Sequence, residues 1–267
     1  MPPATKRPRA YDPAKTRTAV LAQFGQVRDA VRELDDERLA RPTRLGDWTV
    51  RELAAHLALT VAATGRALAR EAPAKADIAL LDYPAATVLF AESVADGTRR
   101  LAAAHPDLTA LYATTGDDLA ARLAEVAHPQ TRIVDLRPAA MTLTDFLVTR
   151  VIELVVHTDD LNAAVPELAI PYDRQALAIC TRVLADTLAA KAPGGATEVR
   201  IPPFAVVQCV EGPRHTRGTP PNVVETDPLT WIRLATGRLT WPDALADAKV
   251  SASGERADLS ALLPLMR

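Results

Sequence analysis

Two residues that can bind one metal ion together, Glu153 and His157, lie four positions apart in the segment TDFLVTRVIELVVHTDDL. In a helix this spacing places both side chains on one face, with their Cβ atoms about 5–6 Å apart. The residues around them are apolar on nearly every side, which is typical of a buried helix. A buried carboxylate needs a partner, and one divalent cation can satisfy the carboxylate and the imidazole together. The spacing therefore indicates a metal site on this helix.

The same helix carries two further polar residues, and the sequence leaves their roles open. Arg150 lies three positions before Glu153, where it can neutralise the carboxylate or stay near a metal as an anion-binding residue. Asp160 follows His157 by about one turn, where it can orient a metal-bound histidine or form a salt bridge on the helix face. We take Arg150 and Asp160 as candidate catalytic residues. Without a metal, His157 is instead a hydrogen-bonded core histidine.

A third candidate ligand, His56, lies in the segment RELAAHLALT, among leucine and alanine residues. A single histidine on an apolar helix face is more often a core residue with a hydrogen-bond partner than a ligand. Together with Glu153 and His157, however, it makes a set of three ligands from two helices of one bundle. Such a set leaves coordination positions open for water or substrate. Trp48, shortly before this helix, is predicted to be a packing residue.

Composition and charge exclude several classes of protein. The chain has 267 residues, of which 48% are hydrophobic and 24% charged, as in an ordinary globular protein. Lys+Arg 31 against Asp+Glu 33 gives a net charge of -2, so the basic excess of proteins that bind nucleic acid or anionic membranes is missing. The two cysteines, Cys180 and Cys209, form no CxxC motif and provide neither a disulfide scaffold nor a thiolate zinc site.

The sequence also predicts where the protein works. No apolar run is long enough to span a membrane, and the basic, proline-rich N-terminus has no apolar core of a signal peptide after it. We therefore expect a cytoplasmic protein, a monomer or homodimer, whose partners are small molecules.

The first half of the chain predicts a bundle of four long helices. Their approximate ranges are 13–39, 49–70, 84–126 and 144–164. Thr49, with Glu52 three positions later, forms a capping box that starts the second helix. The third helix is expected to break near Pro106, because a residue before proline avoids the helical conformation. We assign residues 1–13 to a disordered leader and residues 14–165 to the bundle.

Pro166 and Pro171 mark a domain boundary, after which the pattern becomes mixed. One more helix is followed by predicted strands in TEVRIPP, FAVVQCVEG, NVVET and KVSASG. Asp227 and Pro228 start a short helix in DPLTWIRLATG, and ERADLSALLPL is predicted to close the chain as another helix. We expect residues 171–267 to form a small α+β domain, so that the whole chain is α followed by α+β.

Two segments of the helical half, GDWTVRELAAHL and RVIELVVHTDDL, resemble the signature segments of the DinB-like, mycothiol-dependent maleylpyruvate isomerase family. The resemblance covers roughly residues 15–165. It implies a four-helix bundle that holds a divalent metal, usually zinc, through His56, Glu153 and His157, with mycothiol as the thiol cosubstrate. The later segment NVVETDPLTWIRLATGRLTWPDALADAKVSASGERADLSALLPL is similar to the sterol-carrier-protein-2-like domain. That similarity implies a sheet with helices over an apolar cavity.

These expectations favour a zinc-dependent enzyme that brings a low-molecular-weight thiol to a small electrophile. A cation at the open position stabilises a thiolate, and the resemblance implies that the thiol is mycothiol and that the enzyme is an isomerase or a thiol S-transferase. Two other functions stay open. One is non-enzymatic binding of a lipid or another small molecule in the sterol-carrier-like pocket. The other is a metal-dependent hydrolase that activates water at the same position.

Overall fold

The computed structural model of the protein describes residues 9–137, 139–212 and 221–266. Residues 1–8, which make up most of the predicted leader, lie outside this part of the chain. Within the described residues, no helix combines the length and the hydropathy that crossing a membrane requires.

The described chain divides into two compact units. The larger unit contains residues 13–180 together with Met266, and the smaller unit contains residues 9–12 and 181–265. The division falls inside the helix Arg174–Lys191. The domain limits expected from the sequence stay predictions.

The larger unit is helical, as the sequence predicts. Its elements are α1 (Pro13–Val31), α2 (Asp36–Leu39), α3 (Val50–Leu68), α4 (Tyr83–Ala104), α5 (Leu108–Glu125), β1 (Ile133–Asp135), β2 (Ala140–Thr142) and α6 (Leu143–Ala164), followed by the first part of α7 (Arg174–Lys191). Helix α6 packs against α1 and α3, and α5 also packs against α1 and α3. Four helices therefore form a closed ring in the order α1, α6, α3, α5, while α4 packs against α3.

Local chemistry explains where these helices begin and end. The predicted helix over 13–39 is interrupted after Val31, and the Asp35 side chain caps the short α2 by accepting a hydrogen bond from the Arg38 N–H. The capping box of α3 is confirmed, since Glu52 accepts the Thr49 backbone N–H at 2.9 Å. The predicted break near Pro106 is also confirmed, because α4 ends at Ala104 and α5 begins at Leu108.

A small antiparallel hairpin, β1 and β2, precedes α6 and was not expected from the sequence. Its central pair is Val134 with Met141, both fully buried. Each strand has three residues, which is too short for a period-two pattern to be recognised in the sequence. The hairpin leads directly into α6, whose first turn is capped by the Thr142 hydroxyl accepting the Asp145 N–H at 3.1 Å.

Helix α6 is buried on all sides, which confirms the prediction from its apolar pattern. From position 143 to position 161 every residue except Asp145 is buried. A helix in this environment brings polar side chains into the core together with the apolar ones. Each of those polar groups therefore needs a partner inside the bundle.

The smaller unit contains a four-stranded mixed sheet. Its strands are β3 (Thr197–Ile201), β4 (Ala205–Cys209), β5 (Val223–Thr226) and β6 (Val250–Ser253), in the spatial order β4, β3, β5, β6. Strand β3 pairs antiparallel with β4 and parallel with β5, and β5 pairs antiparallel with β6. All four predicted strands are present. Buried and more accessible residues alternate along β3 and β4, so one face of the sheet is buried.

The helices of the smaller unit agree only in part with the prediction. Helix α8 (Pro228–Ala235) is confirmed, and the Asp227 carboxylate accepts the first backbone N–H groups of that helix. A second helix, α9 (Trp241–Ala246), was not expected. The predicted closing helix is wrong, because this segment contains only a three-residue 3-10 turn, Ser260–Leu262. The turn ends at Leu263, whose extended conformation is the one that a residue before proline prefers.

Candidate metal centre

The three predicted ligands lie together between α3 and α6. The ligand atoms of His56, Glu153 and His157 are all within 4.8 Å of one another. Glu153 Oε2 is 3.4 Å from His56 Nε2 and 3.3 Å from His157 Nε2. The two imidazole rings meet edge to face, with centroids 4.7 Å apart. Helix packing thus unites residues that are 97 positions apart in the chain.

The donor set fits a divalent cation. When bonds to nitrogen and oxygen are about 2.0–2.2 Å long, donors at the corners of a tetrahedron lie about 3.3–3.5 Å apart. The two distances from Glu153 Oε2 to the imidazole nitrogens, 3.4 and 3.3 Å, match this edge length. The three side chains are also nearly inaccessible, with 6–8% of each residue exposed. A buried carboxylate between two histidines is a donor set that zinc prefers.

The second carboxylate oxygen of Glu153 is held by a residue that the sequence analysis did not find. The Tyr83 hydroxyl, at the start of α4, donates to Glu153 Oε1 at 2.6 Å. Arg150 Nη2 in turn donates to the Tyr83 oxygen at 2.9 Å. Arg150 therefore reaches Glu153 through the phenol, and its guanidinium lies over the Phe146 ring at 4.6 Å. This arrangement leaves Glu153 Oε2 directed at the two histidines.

Asp160 forms both kinds of contact that the sequence left open, a hydrogen bond to a candidate ligand histidine and a salt bridge. Its Oδ2 shares a hydrogen bond of 2.7 Å with His157 Nδ1, and its Oδ1 accepts from the Arg44 guanidinium. The hydrogen bond fixes the ring orientation of His157 and leaves Nε2 for a metal, as carboxylate–histidine pairs do in metal proteins. Arg44, which supplies the salt bridge, lies in the turn before α3 and was not predicted as a site residue.

His56 has its own set of neighbours. The Thr98 hydroxyl, on α4, lies 3.4 Å from His56 Nδ1, and the Thr60 hydroxyl lies 3.5 Å from Nε2. The Trp48 ring is 5.2 Å from the imidazole, centroid to centroid. Trp48 therefore packs directly on a candidate ligand, in addition to packing at the helix start.

Charge and burial set the protonation states of the three residues. Burial lowers the pKa of His56 and favours the neutral imidazole. Burial alone would raise the pKa of Glu153, but hydrogen bonds to His157 and His56 outweigh it and hold the pKa well below its usual range. Burial opposes the charge of His157 too, yet the hydrogen bonds to Asp160 and Glu153 raise its pKa. An anionic carboxylate beside a neutral His56 is the state in which these groups bind metals.

The Tyr83 contact gives a first prediction. Tyr83→Phe removes the donor to Glu153 Oε1, so the carboxylate is less well oriented, and we expect zinc affinity to fall by about 10-fold, at the lower end of the loss seen for such partners. Competition with a chromophoric chelator measures this affinity. The control is Tyr112→Phe, because the Tyr112 hydroxyl is fully buried but donates to the Ala54 carbonyl and not to a candidate ligand. Equal affinities in the two variants would contradict the role given to Tyr83.

Comparisons with known proteins identify the family of the chain. Residues 20–162 match the sequence profile of the mycothiol maleylpyruvate isomerase N-terminal domain, and residues 173–265 match that of a bacterial SCP ortholog. No curated protein sequence matches the chain.

Two solved structures resemble the protein over almost its whole length. They are the mycothiol-dependent maleylpyruvate isomerase and a histidine-to-alanine mutant of that enzyme, with TM-scores of 0.58 and 0.59. Each is 17% identical in sequence, and each alignment covers 96% of this chain and 97% of the other. At this identity the likeness shows a shared fold.

The fold and the site define a class: a helical bundle with a buried candidate metal centre, followed by a smaller α+β unit. Since the first profile matches more than half of the chain, the protein belongs to the mycothiol maleylpyruvate isomerase family. The resemblance found in the sequence is thereby confirmed for both halves of the chain.

Proposed function

We propose that the protein is a zinc-dependent enzyme that uses mycothiol to isomerise a small electrophile or to transfer the thiol to it. The observation that carries the proposal is the buried His56–Glu153–His157 set, whose two short donor distances match a tetrahedral site. The choice of mycothiol as the thiol is supported by the family and by the mycothiol dependence of the isomerase that shares this fold. We also propose that the protein works in the cytoplasm as a monomer or homodimer.

The proposed zinc ligands are His56, Glu153 and His157, which leave coordination positions open. Zinc held there supplies a Lewis acid that favours deprotonation of a thiol. Asp160 acts as a positioning residue in this proposal, because it touches His157 Nδ1 and keeps Nε2 free. Tyr83 positions Glu153 in the same way from the other side.

Arg150 is proposed to attract the anionic part of a substrate. The residue is nine-tenths buried, and its guanidinium is held by hydrogen bonds to the Tyr83 and Thr149 hydroxyls. Those neutral partners leave its positive charge available to an anion. Because Arg150 also donates to Tyr83, it remains next to Glu153 and therefore close to the site of reaction.

The proposed reaction is addition followed by elimination. The thiol sulfur adds to one carbon of an activated alkene, and the former double bond becomes a single bond that can rotate. Elimination then returns the thiol together with the isomeric alkene, so no thiol is consumed. When the thiol is retained instead, the product is a conjugate and one thiol is consumed for each electrophile.

Turnover by the purified full-length protein tests this proposal. With zinc and mycothiol present, we expect maleylpyruvate or a related activated alkene to be isomerised, as followed by absorbance and proton NMR. Removal of the metal with a chelator should abolish turnover, and added zinc should restore it. Omission of mycothiol should abolish it as well.

The alternatives give different results in the same experiment. Product formation without any thiol, with water incorporated, would favour the metal-dependent hydrolase. Absence of turnover, together with a lipid that co-purifies and is identified by native mass spectrometry, would favour a non-enzymatic binding protein with a sterol-carrier-like pocket. Either result would contradict the proposed thiol chemistry.

A further inference from the structure

The turn that precedes α3 is closed by its own hydrogen bonds. The Thr43 hydroxyl and the Thr43 N–H both donate to the Trp48 carbonyl, at 2.8 and 3.0 Å, and the Trp48 N–H donates to the Leu45 carbonyl at 3.2 Å. Gly46 has a φ of +62°, a conformation that residues with a side chain rarely adopt. The turn therefore holds its side chains in defined positions relative to α3.

One of these side chains, Arg44, reaches two buried carboxylates of α6. Its Nε donates to Asp160 Oδ1, and its Nη2 donates to Asp159 Oδ2 at 2.5 Å. The side chains of Asp159 and Asp160 are only 2% and 0% exposed. Burial of two adjacent carboxylates is costly without a cation, and a guanidinium can serve both because its donors form a rigid fork.

The contacts of Arg44 continue to a candidate ligand. Asp160 uses one oxygen for Arg44 and the other for His157 Nδ1, at 2.7 Å. Movement of the Asp160 carboxylate would thus change the orientation of the His157 ring. The same turn places Trp48 against His56, with ring centroids 5.2 Å apart. Both imidazoles are therefore held by one short segment outside the two helices that carry them.

We propose that Arg44 is a positioning residue of the metal centre, which acts through Asp160 on His157. This inference rests on the proposed function, because it assumes that His157 is a metal ligand. In this role Arg44 both neutralises the buried carboxylates and fixes the orientation of Asp160. The fork is anchored on Asp159 through Nη2 and holds Asp160 Oδ1 through Nε. The Asp160 carboxylate is therefore fixed between Arg44 and His157 Nδ1, and this orients His157 Nε2 toward Glu153.

The test compares Arg44→Gln and Arg44→Lys with a matched control, Arg41→Gln. Arg41 lies on the same segment, and its side chain is 34% exposed against 31% for Arg44. It forms an ion pair of 2.6 Å with Glu167, which touches none of the candidate ligands. All three variants and the unmodified full chain are measured below their melting temperatures.

Two readouts separate positioning from stability. Zinc affinity is measured by competition with a chromophoric chelator, and cobalt is used alone to record the visible absorption bands that report ligand geometry. For Arg44→Gln we expect about 10-fold weaker zinc binding and altered cobalt bands, since loss of partners outside the ligand set typically costs 10–100-fold. The zinc affinity of Arg44→Lys should lie between those of Arg44→Gln and the unmodified protein, because lysine restores the positive charge without the forked geometry of the guanidinium. Arg41→Gln should equal the unmodified protein.

The result that overturns this inference is Arg44→Gln with unchanged zinc affinity and cobalt bands, even if its melting temperature is lower. If Arg44→Gln does not fold, the same criteria apply to Arg44→Lys. Cobalt bands of Arg44→Lys that are identical to those of the unmodified protein would then overturn the inference. If the unmodified protein binds no zinc or cobalt, the proposed metal site fails first. The failures of the two proposals are therefore distinguishable.

Discussion

Replacement of His157 by alanine is expected to remove tight zinc binding and thiol-dependent turnover together. The candidate centre has three protein donors, and without His157 only His56 and Glu153 remain. The loss of affinity should exceed the 10–100-fold that loss of a neighbouring hydrogen-bond partner typically costs. Bound zinc is measured by mass spectrometry after dialysis, and turnover is measured with mycothiol and an activated alkene.

His56→Ala should behave like His157→Ala, because each histidine supplies one nitrogen to the proposed metal site. The two Nε2 atoms lie at nearly the same distance from Glu153 Oε2, 3.4 and 3.3 Å. The control is His105→Ala, since His105 is exposed at the end of α4. It should keep full zinc occupancy and full activity. Full occupancy in both His56→Ala and His157→Ala would exclude the site.

Leu154→Ala should destabilise the protein by removing packing atoms from the core of the bundle. Leu154 lies in α6 and is fully buried, so alanine leaves a cavity in the middle of the bundle. We expect a loss of about 2–5 kcal/mol in the free energy of unfolding of the helical unit. Denaturation by urea, followed by circular dichroism at a helical wavelength, measures this change.

Leu89→Ala is the matched control for this substitution. It makes the same change in another helix, α4, but Leu89 is 80% exposed. Its effect should stay within about 0.5 kcal/mol, as for most surface substitutions. Similar effects of the two changes would contradict the central, buried position of α6.

The sequence was sufficient to predict the residues of the candidate centre because local spacing carries the signal. Glu153 and His157 share a helix face, and the apolar residues around them predict burial. His56 was added because its own helix is apolar too. The predicted bundle joined these two segments, since two of its helices can present three ligands, and the family resemblance implied the same three residues.

Tyr83 and Arg44 were missed for a physical reason. They lie 70 and 116 positions from the α6 residues that they contact, and neither stands in a periodic pattern with other polar groups. Their roles arise only when α4 and the turn before α3 pack against the bundle. Such partners are found from coordinates, because packing decides which isolated polar residue meets a buried carboxylate.

The errors in the smaller elements have similarly local causes. The hairpin β1–β2 has strands of three residues, below the length at which alternation is recognised. A closing helix was predicted in ERADLSALLPL, but the segment contains only the turn Ser260–Leu262, which ends at the extended Leu263 before Pro264. Neither difference touches the candidate centre.

The most direct test of the metal centre is a crystal structure of the full chain, purified without chelators, with diffraction data on both sides of the zinc absorption edge. We predict an anomalous peak about 2.0–2.1 Å from the Nε2 atoms of His56 and His157 and about 2.0–2.2 Å from Glu153 Oε2. A zinc-loaded crystal with no peak at this position, or with its peak at other residues, would contradict the proposed centre.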